Sequence, residues 1–269
     1  GSGAVALCTV NASASPRSAN TDGCGCTPQP NAKMTSPRGT RFAARHAEAT
    51  FVSGPSKTVV KRYADDLRAA VRQSGRDGDA LLIYAQALVI TGATQEEARA
   101  KHADYLRHVN IEAALVLLSG WTGVDFSRYP LDATIDYIDS PAGRSALASF
   151  SQADPDRTWT VREAAEYIGL GGRGPVLVGD ARQVADQLES WIDATGVDGF
   201  NLAFAVAHDS MADVVAHIVP ELQRRGRYRT HYEEGSLRHK VFGQGPRLPA
   251  GHAGRQVSIA PNEATLAAA

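Results

Sequence analysis

Residues 172–202, GRGPVLVGDARQVADQLESWIDATGVDGFNL, switch between two hydrophobic patterns. Residues 175–178 form a short valine-rich run that Gly179 and Asp180 end. Asp180 suits a helix N-cap, and Gln183 stands where a capping box places its partner. Val184, Leu188, Trp191 and Ile192 then recur at helical spacing. Gly196 is a helix stop, and residues 199–204 resume as an apolar strand. Extended run, amphipathic helix and extended run is the repeating unit of α/β folds.

The same pattern recurs upstream. Pro37 suits a first helical turn, with Phe42, Ala43 and His46 on the buried side. Residues 47–52 read as a strand that residues 53–55 break. Ser56 caps a helix carrying Val59, Tyr63, Leu67, Ala70 and Val71 as its stripe, ending near Gly75. Residues 80–91, ALLIYAQALVIT, are nearly continuous apolar sequence, which suits a strand buried on both faces of a parallel sheet. Thr94 and Glu97 open a helix expected to run to about Leu118. Residues 120–159 carry prolines, aspartates and little periodicity, and read as an irregular insertion with a short helix. Residues 160–168 predict another helix. A last helix is expected from about Ser210, aligning Met211, Val214, Val215, Ile218, Val219 and Leu222, with Pro220 kinking it or starting a new turn. Strands 48–52, 80–91 and 198–204 are expected to share one mainly parallel sheet, with 175–178 as an accessory.

The two ends differ in character. Residues 1–35 are rich in Gly, Ala, Ser, Asn, Thr and Pro without periodicity, so a disordered leader is expected. Residues 227–269 are polar and rich in Gly and Pro, an extended tail that wraps another surface or is partly disordered. The body, residues 36–226, lies between them.

Composition narrows the function classes. Among 269 residues, 28 are basic and 29 acidic, for a net charge of −1. This balance argues against nucleic-acid or anionic-membrane partners. No apolar run approaches the roughly 20 residues that span a bilayer. The three cysteines, Cys8, Cys24 and Cys26, lack the spacing of a metal site. A cytoplasmic location is the default for such a chain.

The words VGDARQVADQLESWIDATGVDGFNLAF and IVPELQRRGRYRTHYEEGSLRHKVFGQGPRLP, with SPRGTRFAARHAEATFV at residues 36–52, carry a resemblance. They resemble the C-terminal part of flavin-dependent monooxygenases of the nitrilotriacetate monooxygenase branch of the bacterial-luciferase-like superfamily. That branch includes long-chain alkane and dibenzothiophene sulfone monooxygenases. The resemblance covers roughly residues 36–247. It implies an α/β fold built as an incomplete (β/α)₈ barrel, the C-terminal half, since the family's first strands and most catalytic residues lie before the point of match. It implies reduced FMN from a separate flavin reductase, oxygen, and a small organic substrate. It also implies either a truncated family member or an inactive fragment or interaction module that pairs with another chain, as a homo-oligomer or with a missing N-terminal half.

The best candidate for chemistry is the turn TSPRG at residues 35–39. Hydroxyls and amides at a helix N-terminus favour an anion, although a plain N-cap has the same sequence. By resemblance this turn holds the FMN phosphate, with Ser36 the residue carried over and Thr35 its neighbour. His46 reads as a packing or surface residue, since no partner stands at useful spacing. In His208-Asp209-Ser210, Asp209 or Ser210 reads as an N-cap rather than part of a triad. His102 and His108 read as solvated. Residues 169–174, GLGGRG, read as an ordinary loop, and Asn201 as a structural hydrogen-bonding group. Trp121, Trp159 and Trp191 read as packing anchors. Residues 158–170 resemble half a helix-turn-helix, but residues 171–180 are glycine-rich and then extended, not a second helix.

Overall fold

The structure is a computed structural model that describes residues 6–8, 36–135, 147–151, 154 and 157–256. Five strands form one sheet: β1 (Ala6–Cys8), β2 (Ala49–Val52), β3 (Leu82–Thr91), β4 (Val176–Gly179) and β5 (Gly199–Ala203). The order is β1-β5-β3-β2, with β4 also on β3, and every pairing is parallel. The three long apolar runs therefore share one parallel sheet, as their pattern predicts.

Backbone polarity alternates along a strand, so hydrogen bonds tell which edge of β3 each neighbour occupies. Ile83 pairs with Asp198 at the head of β5. Leu82 donates to the Glu48 carbonyl ahead of β2, and Leu88 donates to that of Pro175 ahead of β4. Residues 82 and 88 share a parity that 83 does not. Strands β2 and β4 therefore lie end to end on one edge of β3, with β5 on the other. The chain enters β4 over a gap at Gln86 and Ala87, beyond the end of β2.

The helices are α1 (Pro37–His46), α2 (Lys57–Gln73), α3 (Gln95–Arg107), α4 (Ile111–Thr122), α5 (Val161–Gly169), α6 (Ala181–Thr195), α7 (Ala207–Asp213), α8 (Val219–Arg224) and α9 (Leu237–Phe242). Ile83, Ala85, Ala87 and Val89 of β3 face the main core, with Val52, Phe200 and Leu202 of its neighbours. They meet Val59, Tyr63, Leu67 and Val71 of α2 and Val184, Leu188 and Trp191 of α6. Full burial of one such leucine contributes about 1.5–3 kcal/mol. Asp180 and Gln183 cap α6 reciprocally, at 3.0 and 3.1 Å. Gly196 ends it at φ 68°, a left-handed turn that favours glycine.

Part of the insertion builds a second core. Val124, Phe126, Ile135, Leu147, Phe150 and Trp159 pack with Leu118 of α4 and Ile168 of α5. The rings of Phe150 and Trp159 meet edge to face at 5.2 Å.

Several elements depart from their sequence expectations. Within the stretch whose composition predicts disorder, Ala6–Cys8 pairs with β5. The open edge of β5 needs only backbone N–H and C=O groups, which almost any residue supplies whatever its side chain. The helix expected over residues 94–118 is two helices. Asn110 interrupts it by accepting from the Ala113 amide at 2.9 Å, a local cap that outcompetes continuation. The last helix begins at Ala207, not Ser210, and Val215 is exposed rather than in the stripe. A π-helical turn over Val214–Ile218 accommodates Pro220, whose ring would otherwise press on the preceding turn. The expected wrapping tail closes on this chain's own sheet: Arg238 bonds Glu48, and His252 Nε2 lies 3.1 Å from the His46 carbonyl.

Candidate functional site

Only Ala47 and Glu48 separate α1 from β2, so the helix runs antiparallel to the strand. A helix of 10 residues spans about 15 Å and a strand of four about 13 Å. The first turn of α1 therefore stands level with the C-terminal ends of the strands. Ser36 is its N-cap, with the hydroxyl accepting from the Gly39 amide at 3.1 Å and the carbonyl accepting from Thr40 at 2.8 Å. Pro37 at N1 brings no amide hydrogen. Arg38 and Arg41 are exposed on the same turn. Thr35 lies outside the described residues.

On the sheet face away from the main core, Gln86 and Asn201 stand side by side in register. The Ser53 hydroxyl, just past the end of β2, bonds Gln86 Oε1 at 3.0 Å. The loop before β4 crosses here. A Cβ on Gly174 would lie 1.9 Å from the Gln86 carbonyl oxygen, so only glycine lets the backbones meet. The Tyr167 hydroxyl donates to the Gly174 carbonyl and pins the loop to α5. Between these glycines stands Arg173. Its guanidinium lies 5.4 Å from the centroid of the Trp121 ring. Its Nε is sealed from solvent with no hydrogen-bond partner, and no carboxylate pairs with it among the described residues. Burial pushes its pKa down from the ordinary value, but an arginine stays charged in proteins. Burial also pushes the Tyr167 phenol up, so it remains a neutral donor.

Residues 9–199 match the family described as luciferase-like monooxygenase. The chain belongs to the luciferase-like monooxygenase family. It is 41% identical over 206 residues to a dimethyl-sulfide monooxygenase of Hyphomicrobium sulfonivorans, a match covering 77% of this chain and 43% of that protein. It is 35% identical over 229 residues to a long-chain alkane monooxygenase of Geobacillus thermodenitrificans (strain NG80-2), covering 84% and 48%. Among solved structures, a riboflavin lyase with modified FMN and the substrate riboflavin superposes with a TM-score of 0.72 at 26% identity, covering 82% of this chain and 48% of that one. The chain thus spans about half the length of the curated relatives it matches. Its fold is the family's α/β fold with a parallel sheet that is not a closed barrel.

In luciferase-like proteins, as in barrels generally, the C-terminal ends of the strands are the end where chemistry is built. Ser36 stands toward that end, while Arg173 lies beside the middle of β3, ahead of the N-terminal end of β4; the remaining sequence candidates do other work. His46 is exposed and stacks its ring near Phe42 at 4.9 Å. Ser210 is not an N-cap: Val206 holds that place, and Ser210 Oγ accepts from its amide at 3.3 Å. Asp209 lies in the first turn of α7 and is not its cap. The reason is register, since the helix starts three residues earlier than its polar signal. His102 is half-buried rather than solvated, and burial pushes its pKa down. Trp159 and Trp191 are buried anchors. A strand comes after α5, not a recognition helix. A cavity of about 330 Å³ lies at the opposite end of the sheet, between Arg45, Glu48, Arg76 and the tail residues Phe242 and His252. Arg76 and Glu48 are engaged there in holding α1 and the tail. Among the described residues no His, Cys, Asp or Glu cluster could hold a metal, and no helix is long and apolar enough to cross a membrane.

Arg173 escapes a reading of the sequence because a lone arginine among glycines has no motif. The signal that could find it is the glycine pair around it, which forces close backbone packing and so buries whatever stands between.

Proposed function

We propose that this chain serves the flavin-dependent oxygenation of a small organic substrate, with reduced FMN delivered by a separate flavin reductase. The observation that carries the reading is the Ser36-capped first turn of α1, level with the C-terminal ends of a parallel sheet in a luciferase-like chain. The residues fit a phosphate-bearing flavin. The turn offers a hydroxyl, the positive end of a helix dipole and two exposed arginines, all favourable to a phosphate. The face above it carries Gln86 and Asn201, which can orient a polar ring system. FMN, when bound and reduced, supplies the electrons that activate oxygen. Ser36 and the Arg38 amide, at the first turn of α1, would hold and orient its phosphate. Water must also be excluded from the reacting centre, and here the five described strands are insufficient. Strand β2 ends the sheet, and Phe51 on it is 45% exposed. Oxygenation therefore requires further strands, from this polypeptide or a partner, to close the site.

The test is a titration of the purified chain with FMN and with riboflavin, followed by supply of reduced FMN and oxygen with a candidate thioether or alkane. Weak FMN binding, reduced further by Ser36→Ala, with hydrogen peroxide as the only product, is expected. Unchanged FMN affinity in Ser36→Ala would remove the phosphate turn. Tight binding with coupled oxygenation by these strands alone would overturn the need for closure.

A further inference from the structure

We propose that Arg173 is an oxyanion-binding residue, a second anionic subsite distinct from the α1 turn. The inference does not depend on the flavin reading, since it rests on how this one cation is housed. An arginine brought into a protein interior loses hydration and normally regains it through a carboxylate or several carbonyls. Arg173 has neither among the described residues: its Nε is sealed and unpaired. The ionisable groups that face it, Tyr63 and Tyr167, are phenols, uncharged at neutral pH. What does hold it is position. The Trp121 ring lies 5.4 Å from the guanidinium, and the loop is clamped by Tyr167 on Gly174 and by Gly174 against Gln86. The residue as a whole keeps part of its surface open. The result is a guanidinium held in place with no counter-charge among the described residues.

The chemistry that completes such a fork is an anion with two or more oxygens, taken bidentately. Two sources share that chemistry: the phosphate of a flavin nucleotide, and a carboxylate or sulfonate on an organic substrate. A simple packing role for Arg173 on Trp121 would need the stem and the stack but no anion.

The experiment is calorimetric titration of the full chain with inorganic phosphate, acetate and methanesulfonate, and separately with FMN and riboflavin. Wild type, Arg173→Met, Arg173→Lys and Ser36→Ala are compared. Saturable binding of at least one probe is expected, weakened about 10- to 100-fold in Arg173→Met and partly restored in Arg173→Lys. If the flavin phosphate is the source, the preference of the wild type for FMN over riboflavin shrinks in Arg173→Met. If an anionic substrate is the source, that preference stays and acetate or methanesulfonate binding is lost. Should Arg173→Met not fold, Arg173→Lys and an anion-dependent rise in wild-type melting temperature carry the test. Wild type that binds none of the probes, or Arg173→Met that binds them all as wild type does, overturns the proposal. FMN binding that is lost in Ser36→Ala and kept in Arg173→Met, with no anion effect, overturns this subsite while leaving the proposed function standing.

Discussion

At the N-terminal ends of the strands Arg68 grips both oxygens of Asp198, at 3.1 and 2.9 Å, and also the carbonyls of Gly78 and Leu81. Beside it Arg76 spans the carbonyls of Ala44, Ala47 and Ala80, and Arg238 pairs with Glu48. Beside the middle of β3, Arg173 is sealed at Nε and paired with no carboxylate among the described residues. The cations differ in their company, not in their chemistry. Where an arginine serves the fold, its donors are spent on the chain. Where a guanidinium is held with no carboxylate among the described residues, the proposed partner is an external anion.

The contrast can be broken first at the stability end. Asp198 accepts from Arg68 and also from the Ile83 amide at 2.7 Å, so it ties α2, β3 and β5 together. Asp198→Ala strands a half-buried guanidinium and an amide at once. The expected loss is about 2–3 kcal/mol in urea unfolding. Arg173→Met should fall far below that, and equal losses at the two positions would erase the distinction between the two sites.

A smaller effect is expected at Gly174. Gly174→Ala puts a methyl group into the Gln86 carbonyl, and the backbone there cannot give way without breaking the loop's fit to β3. The expected cost is about 2 kcal/mol, in the range of overpacked interiors. The change should also move Arg173 off Trp121, so anion binding falls together with stability. A Gly174→Ala chain of wild-type stability would show that the loop is not clamped against β3.

The smallest effect is a pH limb. Hydrogen bonds from Arg224 and Arg225 hold the Glu221 carboxyl down to about 2, from an ordinary 4.5. The unfolded chain binds a proton here at higher pH than the native one does. The stability that Glu221 contributes is therefore present above 4.5 and is lost as pH falls through about 2. Glu221→Gln should flatten that part of the stability profile. An unchanged acid limb in the variant would mean that other carboxylates set it.

Much of the fold is legible in the residues themselves. Asp180 and Gln183, Thr94 and Glu97, Ser56 and Ser36 each mark a helix start correctly, because a cap bonds only within its own turn. The apolar run at β3 announces a buried parallel strand, because two covered faces leave no polar alternation. The α1 turn is visible for the same local reason. Properties that depend on distant segments meeting are another matter. The pairing of Ala6–Cys8 with β5 depends on an edge nearly 200 residues away, and backbone hydrogen bonds leave no mark on side-chain choice. The break at Asn110 and the early start of α7 are decided by competition between local caps and packing. Arg173 is the clearest case. Its residue type and its glycine neighbours are written in the chain, but its lack of a carboxylate among the described residues is a fact about everything around it. Only the folded loop, drawn over the gap between β2 and β4 and under the Trp121 ring, turns an ordinary cation into an unpaired one.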